Sequence, residues 1–146
     1  MTISCVAAGL HSSDLLRQRF KICSELKSLC DMMIVDLGYS VTPAVLMLDS
    51  LLNDTRFKHL GFIDSGCIKR MTSLDSPLND EDSKRLSSFL YSLGKSDIKG
   101  QIKLIENFRN IMAEKEEYYK HEYTKKSKLN MTFSFCAAAV FALAVV

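Results

Sequence analysis

The sequence predicts an all-α protein, a helical bundle whose long C-terminal helix continues into a membrane segment. Apolar residues recur at steps of three and four along most of the chain, with no convincing strand-period alternation. Only two prolines interrupt 146 residues, so long helices are permitted. Residues 131–146 (MTFSFCAAAVFALAVV) carry no charge and follow a basic cluster of Lys125, Lys126 and Lys128.

The first ten residues (MTISCVAAGL) are apolar but too short to span a bilayer, and no positive n-region precedes them as in a secretory signal. A first helix is expected from Ser12 or Ser13, whose hydroxyls can accept first-turn N–H groups, with Asp14 placed for the dipole. Leu16, Phe20, Cys23, Leu26, Cys30, Met33 or Ile34, and Leu37 form its apolar stripe, and Gly38 is its expected C′ stop. Thr42 then caps a second helix with Pro43 at its first position, and Val45, Leu48, Leu51 and Leu52 form the buried side. Between Asn53 and Met71, the residues Phe57, Leu60, Phe62, Ile63 and Ile68 are apolar. Gly61 and Gly66 interrupt any long helix there, so short helical pieces are expected.

Ser76, Pro77 and Leu78 make a turn, Asn79 can cap, and Asp80, Glu81 and Asp82 fill the positive end of a third long helix. That acidic run is not a calcium loop, which needs alternating ligands, a central glycine and a terminal glutamate. Leu86, Phe89, Leu90 and Leu93 give the apolar stripe, and Gly94 ends it. After a turn, Ser96 is the expected N-cap and Asp97 a charge at the dipole's positive end. Gln101 is expected on the same side, bonding across a helix pair. Ile98, Ile102, Ile105, Phe108 and Met112 form the buried face of this last helix, with Glu116–Lys120 and Glu122–Lys126 as i, i+4 pairs on the wet face. Unbroken to the terminus it would be about 75 Å long.

The uncharged tail is about 24 Å long as a helix, and with Leu129 and Asn130 it roughly spans a ~30 Å hydrocarbon core. It has no polar face for solvent, so lipid is its expected host. The chain thus divides into residues 1–11, a helical domain at 12–128 and a transmembrane helix at 129–146. Basic flanks beside both apolar ends place the domain in the cytoplasm by the positive-inside rule.

Composition narrows the function. A balance of 19 basic and 17 acidic residues lacks the basic footprint of a nucleic-acid binder. Five cysteines (Cys5, Cys23, Cys30, Cys67, Cys136) form no CxxC pair, and are read as reduced thiols. Cys23 and Cys30, seven apart, share a helix face and pack there in place of binding metal. None of His11, His59 and His121 has a carboxylate or nucleophile at catalytic spacing. No enzyme, cofactor, metal or small-molecule substrate is expected.

Taken in order, Thr42-Pro43, Ser76-Pro77-Leu78, Asp82, then Leu93-Gly94-Lys95-Ser96-Asp97 with Gln101 and a lysine-flanked membrane helix resemble the stage III sporulation protein AB family of endospore-forming bacteria. The resemblance implies a non-enzymatic membrane component of the channel complex linking mother cell and forespore. The soluble domain would be similar to the helical domains of type II secretion and type IV pilus platform proteins. Its implied partners are a cytoplasmic assembly ATPase, other channel membrane proteins and membrane lipid, with self-association left open. It also implies an N-terminal membrane helix, of which residues 2–10 would be the remnant. This chain departs from the family pattern in a longer stretch before Thr42 and in lacking tryptophan. The residues carried over as an interface motif are Thr42, Pro43, Ser76, Pro77, Leu78, Gly94, Ser96, Asp97 and Gln101. Readings of other classes are a membrane-tethered regulatory adaptor and a hydrolase for which no residue stands out.

Overall fold

The computed structural model describes residues 2–63 and 74–146, with side chains from residue 11 onward. Expectations for Gly66, Ile68 and the thiols of Cys5 and Cys67 lie outside the described residues. Among the described residues, four α-helices and one 3₁₀ turn follow in order: α1 (Thr2–Tyr39), α2 (Ala44–Leu52), the turn (Thr55–Leu60), α3 (Asp80–Ser92) and α4 (Ile98–Val145). No strand occurs among the described residues.

α1 begins at Thr2, ten residues before the expected start at Ser12. Residues 2–11 contain no proline, and Ala7 and Ala8 favour helix and offset the lone Gly9, so the helix propagates through the serines. Gly38 does not stop it either. The Ser40 N–H closes the last turn on the Asp36 carbonyl at 2.8 Å, and only Gly94 has positive φ among the described residues. The chain turns one step later, where the Ser40 hydroxyl accepts from the Thr42 N–H and shares a hydrogen bond with the Thr42 hydroxyl.

α1 and α4 lie antiparallel and share the largest interface among the described elements. Lys27 meets Glu116 at 3.1 Å, Asp31 meets Arg109, and Ser12 meets Lys126, so residue numbers fall on α4 as they rise on α1. The expected i, i+4 pairs on α4 are therefore not the contacts formed: Glu116 and Lys126 both turn to α1. Two helices side by side offer partners across the seam as well as along the axis.

The core lies along this seam. Ile22, Cys23, Leu26, Leu29, Cys30, Met33 and Leu37 of α1 are buried against Ile105, Phe108 and Met112 of α4 and Leu86, Phe89 and Leu90 of α3. Phe89 stacks on Phe108 with centroids 4.0 Å apart. α2 buries Ala44, Met47 and Leu48, while the expected Val45, Leu51 and Leu52 are half-buried against the core. Ile98, expected in the core, is exposed, because the first turn of α4 extends past the bundle's apolar seam.

In the 3₁₀ turn, Asp54 caps the Arg56 N–H at 2.9 Å and Phe57 and Leu60 are buried. His59, which has no carboxylate near it in sequence at catalytic spacing, is tied to α1 through both its ring and its backbone N–H, each bonded to Glu25. Beyond the domain, α4 contains a stretch long and apolar enough to cross a bilayer, none of it buried. Phe133, Phe135, Phe141 and Leu143 are all exposed.

Candidate functional site

The residues carried over from the sequence fall into two places. Ser76, Pro77 and Leu78 lie at the start of α3. The Ser76 hydroxyl shares a hydrogen bond with Ser83 at 2.7 Å, the Pro77 carbonyl accepts from Arg19 Nε of α1 at 2.9 Å, and Leu78 is buried. This turn seats α3 on the α1–α4 pair.

Beside it is a polar cluster that helix patterning did not anticipate. Asn79 caps α3 as expected, accepting from the Asp82 N–H at 2.8 Å. Asp82 turns its side chain inward and is fully buried, with no exposed surface. Its Oδ2 accepts from the Tyr119 hydroxyl at 2.9 Å. Its Oδ1 pairs electrostatically with Lys115 Nζ at 3.4 Å and Arg85 Nη1 at 4.0 Å but has no hydrogen bond of good geometry among the described residues. Tyr119 also accepts from Asn79 Nδ2 at 3.4 Å. Lys115 and Tyr119, four apart, share one face of α4. Asp82 thus acts as a charged peg joining α3 to α4.

Burial pushes the Cys23 thiol up to about 12, with the Asp82 charge adding to it, and burial pushes Cys30 up to about 12 as well. Both thiols are protonated and buried, in agreement with the expected packing role and opposite to a nucleophile's requirement. Desolvation and the bond to Asp82 also raise the Tyr119 phenol. An open groove of about 510 Å³ runs between α3 and α4 with Phe89, Leu104, Phe108 and Ile111 in its wall. Ser88 and Ser92 line it without a histidine to activate them.

The second place is the end of the bundle farthest from the tail. From Ile98 to Met131 is 33 residues, about 50 Å of helix. Here Gly94 adopts φ 80°, the left-handed C-cap expected of it, and a Cβ at that position would lie 3.3 Å from Val45 of α2. The cap of α4 is Asp97, not Ser96: the carboxylate accepts from the Gly100 N–H at 3.1 Å. The short acid reaches the orphan amides one residue later than the serine would. Gln101 does not bond across a helix pair; its Nε2 donates to the Ser96 carbonyl at 2.8 Å, closing the same turn. Pro43 is the residue before α2 and makes no side-chain cap, with Ala44 first in the helix. Thr42 spends its hydroxyl on Ser40 and leaves the α2 amides alone.

Around these turns several large apolar side chains stand in solvent among charged ones. Tyr39 is 92 % and Val41 97 % exposed, and Val35, Leu46, Tyr91 and Ile98 are exposed with them. Val35, Tyr39, Leu46, Tyr91 and Ile98 lie on helices at this end, and Val41 lies in the turn between α1 and α2. Outside residues 129–146, Tyr118 is the one further large apolar side chain exposed to this degree among the described residues. Tyr39, Val41 and Leu46 fall outside the apolar stripes of the sequence, and that position off the stripes is the one signal the sequence carries for them.

Comparison with known proteins gives one family. The model described as stage III sporulation protein AB matches residues 66–146, more than half of the chain and all of α3 and α4. Thr42 and Pro43 fall before the matched residues. No curated protein and no solved structure matches the chain.

Proposed function

The chain belongs to the stage III sporulation protein AB family, and from that premise we propose that it is a non-enzymatic platform in the membrane channel complex between mother cell and forespore. In this reading residues 129–146 cross the membrane and residues 12–128 form the cytoplasmic domain, on the mother-cell side of the outer forespore membrane. The end carrying Gly94, Asp97, Tyr39 and Val41 docks the assembly ATPase of the complex. The basic residues before the tail support that orientation.

One observation carries the reading. α4 runs without a break from Ile98 to Val145 and is clamped to α1 by ion pairs and packing along its domain half. A force or displacement applied at the distal end therefore reaches the membrane through a stiff rod. A tethered adaptor would need only a flexible linker between domain and anchor.

The test is co-purification of the detergent-solubilised chain with the secretion-type ATPase of the same organism. Wild type is expected to form a complex, and Tyr39→Ser with Val41→Ser to lose it while melting at the wild-type temperature, since both side chains are exposed. A complex unaffected by that pair would refute the docking end; no complex with wild type would refute the ATPase partnership.

A further inference from the structure

The charge of this protein is unevenly placed. Residues 11–21 and 120–130 hold seven Lys and Arg against Asp14 and Glu122, a net charge of +5. The whole chain is only +2, so everything else carries −3. The two segments are a hundred residues apart in sequence, yet the antiparallel pairing sets them side by side: Lys126 donates to the Ser12 hydroxyl, which puts these two residues at one level.

The level can be measured against the uncharged tail. Lys128, Lys126 and Lys125 lie three, five and six residues before Met131, about 4.5–9 Å along the helix. A headgroup layer is about 5–7 Å thick on each side of the hydrocarbon core. Arg17 lies five residues farther from the tail than Ser12, so it is about 15 Å from the level of Met131, and Lys120 is about 16 Å from it. Both are within about one Debye length, ~10 Å at 0.1 M salt, of the outer headgroup surface. Arg17, Lys120, Lys125 and Lys128 are exposed, and Lys126 is half-buried against α1. No ion pair to a carboxylate forms at any of these five among the described residues.

We propose that α1 and α4 together form a basic collar that binds anionic phospholipid headgroups at the foot of the domain, with Lys125, Lys126 and Lys128 in an inner ring of direct contact and Arg17 and Lys120 in an outer ring acting through the field. The proposal rests on the membrane reading of the tail. It adds a lipid selectivity that a span alone does not require. Phospholipid phosphates match the lysine ammonium groups in charge, and each basic group near an anionic surface gains about 1 kcal/mol, about a fivefold preference.

The full chain is reconstituted in vesicles of phosphatidylcholine and in an equal mixture with phosphatidylglycerol. Flotation establishes membrane association, and spin-labelled forms of the two lipids report which one contacts the protein. The expected result is association with both vesicles and a preference for phosphatidylglycerol of about fivefold or more at low salt. Lys125→Gln with Lys128→Gln removes most of it. Arg17→Gln with Lys120→Gln lowers it at low salt only, because at 1 M the Debye length shrinks to about 3 Å. Flotation with no lipid preference, or a preference untouched by the inner-ring pair, overturns the collar and leaves the span standing. An outer-ring effect that persists at high salt overturns the two-ring division. Failure to float with either vesicle overturns the membrane reading and the collar with it.

Discussion

Replacing Asp82 with alanine removes a fully buried carboxylate from between two cations and a phenol. In the native chain Asp82 has no exposed surface, while Lys115 and Arg85 keep 27 % and 35 % of their side-chain surface in water. The loss therefore falls mainly on Tyr119, whose buried hydroxyl gives up its acceptor at 2.9 Å, and on the space left in the core. Breaking a buried charged pair costs about 3–5 kcal/mol, and the partial exposure of the cations sets the expectation at the lower end, about 3 kcal/mol. That is a large part of the 5–15 kcal/mol typical of a domain. Tyr119→Phe alone removes the hydrogen bond to the charged Asp82, about 1.5–3 kcal/mol, along with the longer one from Asn79. The two substitutions act on the same contact, so the double variant should cost clearly less than the sum, with a coupling of about 1.5 kcal/mol or more. Urea unfolding of the solubilised chain, followed by helical circular dichroism, measures all three. Additive costs, or an Asp82→Ala variant within about 0.5 kcal/mol of wild type, would refute the idea that this cluster pins α3 to α4. A second comparison separates charge from packing: replacing Asp82 and Lys115 together by Leu and Met should recover much of the loss, since apolar residues of similar volume often substitute for a buried pair without cost.

Other expected outcomes concern the turns, the thiols and the tail. Asp97→Ala should cost about 1 kcal/mol in the same unfolding assay, the worth of an N-cap, and an unchanged stability would mean that the carboxylate is not capping α4. Gly94→Ala should cost about 1–2 kcal/mol because of its positive φ, with Gly94→Asn milder; equal costs would show that contact with Val45, not backbone conformation, dominates. The pH dependence follows from Cys23 and Cys30, whose pKa values rise from 9.0 to about 12 on folding. Their contribution is complete below pH 9 and falls away from there up to about pH 12, because the unfolded chain loses these protons first. By pH 10 each thiol should have withdrawn about 1.4 kcal/mol, and Cys23→Ala should remove its share of the slope between pH 8 and 10. A wild-type stability that is flat across that interval would contradict the buried, protonated thiols. A chain ending at Lys128 should remain helical and become soluble without detergent, whereas its aggregation would place residues 131–146 in the core.

How much of this could be read along the chain depends on the range of each interaction. The Asn79 cap, the left-handed Gly94, the stripe from Leu86 to Leu93 and the Cys23–Cys30 face arise from contacts within a turn or two, and the sequence displays them directly. Where two local signals competed, neighbours decided. Ser96 and Asp97 both suit an N-cap, and the backbone gave the place to Asp97; Gly38 suits a stop, and a bond from Ser40 to Asp36 carried the helix past it.

By itself the sequence determined the helical class, the apolar stripes, most of the caps and an uncharged tail fit for a bilayer, because each is encoded by spacing within one helix. Only the tertiary structure decided which stripes face each other. It sent Glu116 to Lys27 instead of Lys120, gave Asp82 a partner at Tyr119, left Tyr39 and Val41 in solvent at the distal end, and brought Arg17 to the same foot of the domain as Lys125. A helix's period fixes which side is apolar, but the partner of that side lies tens of residues away, and no local pattern records the pairing.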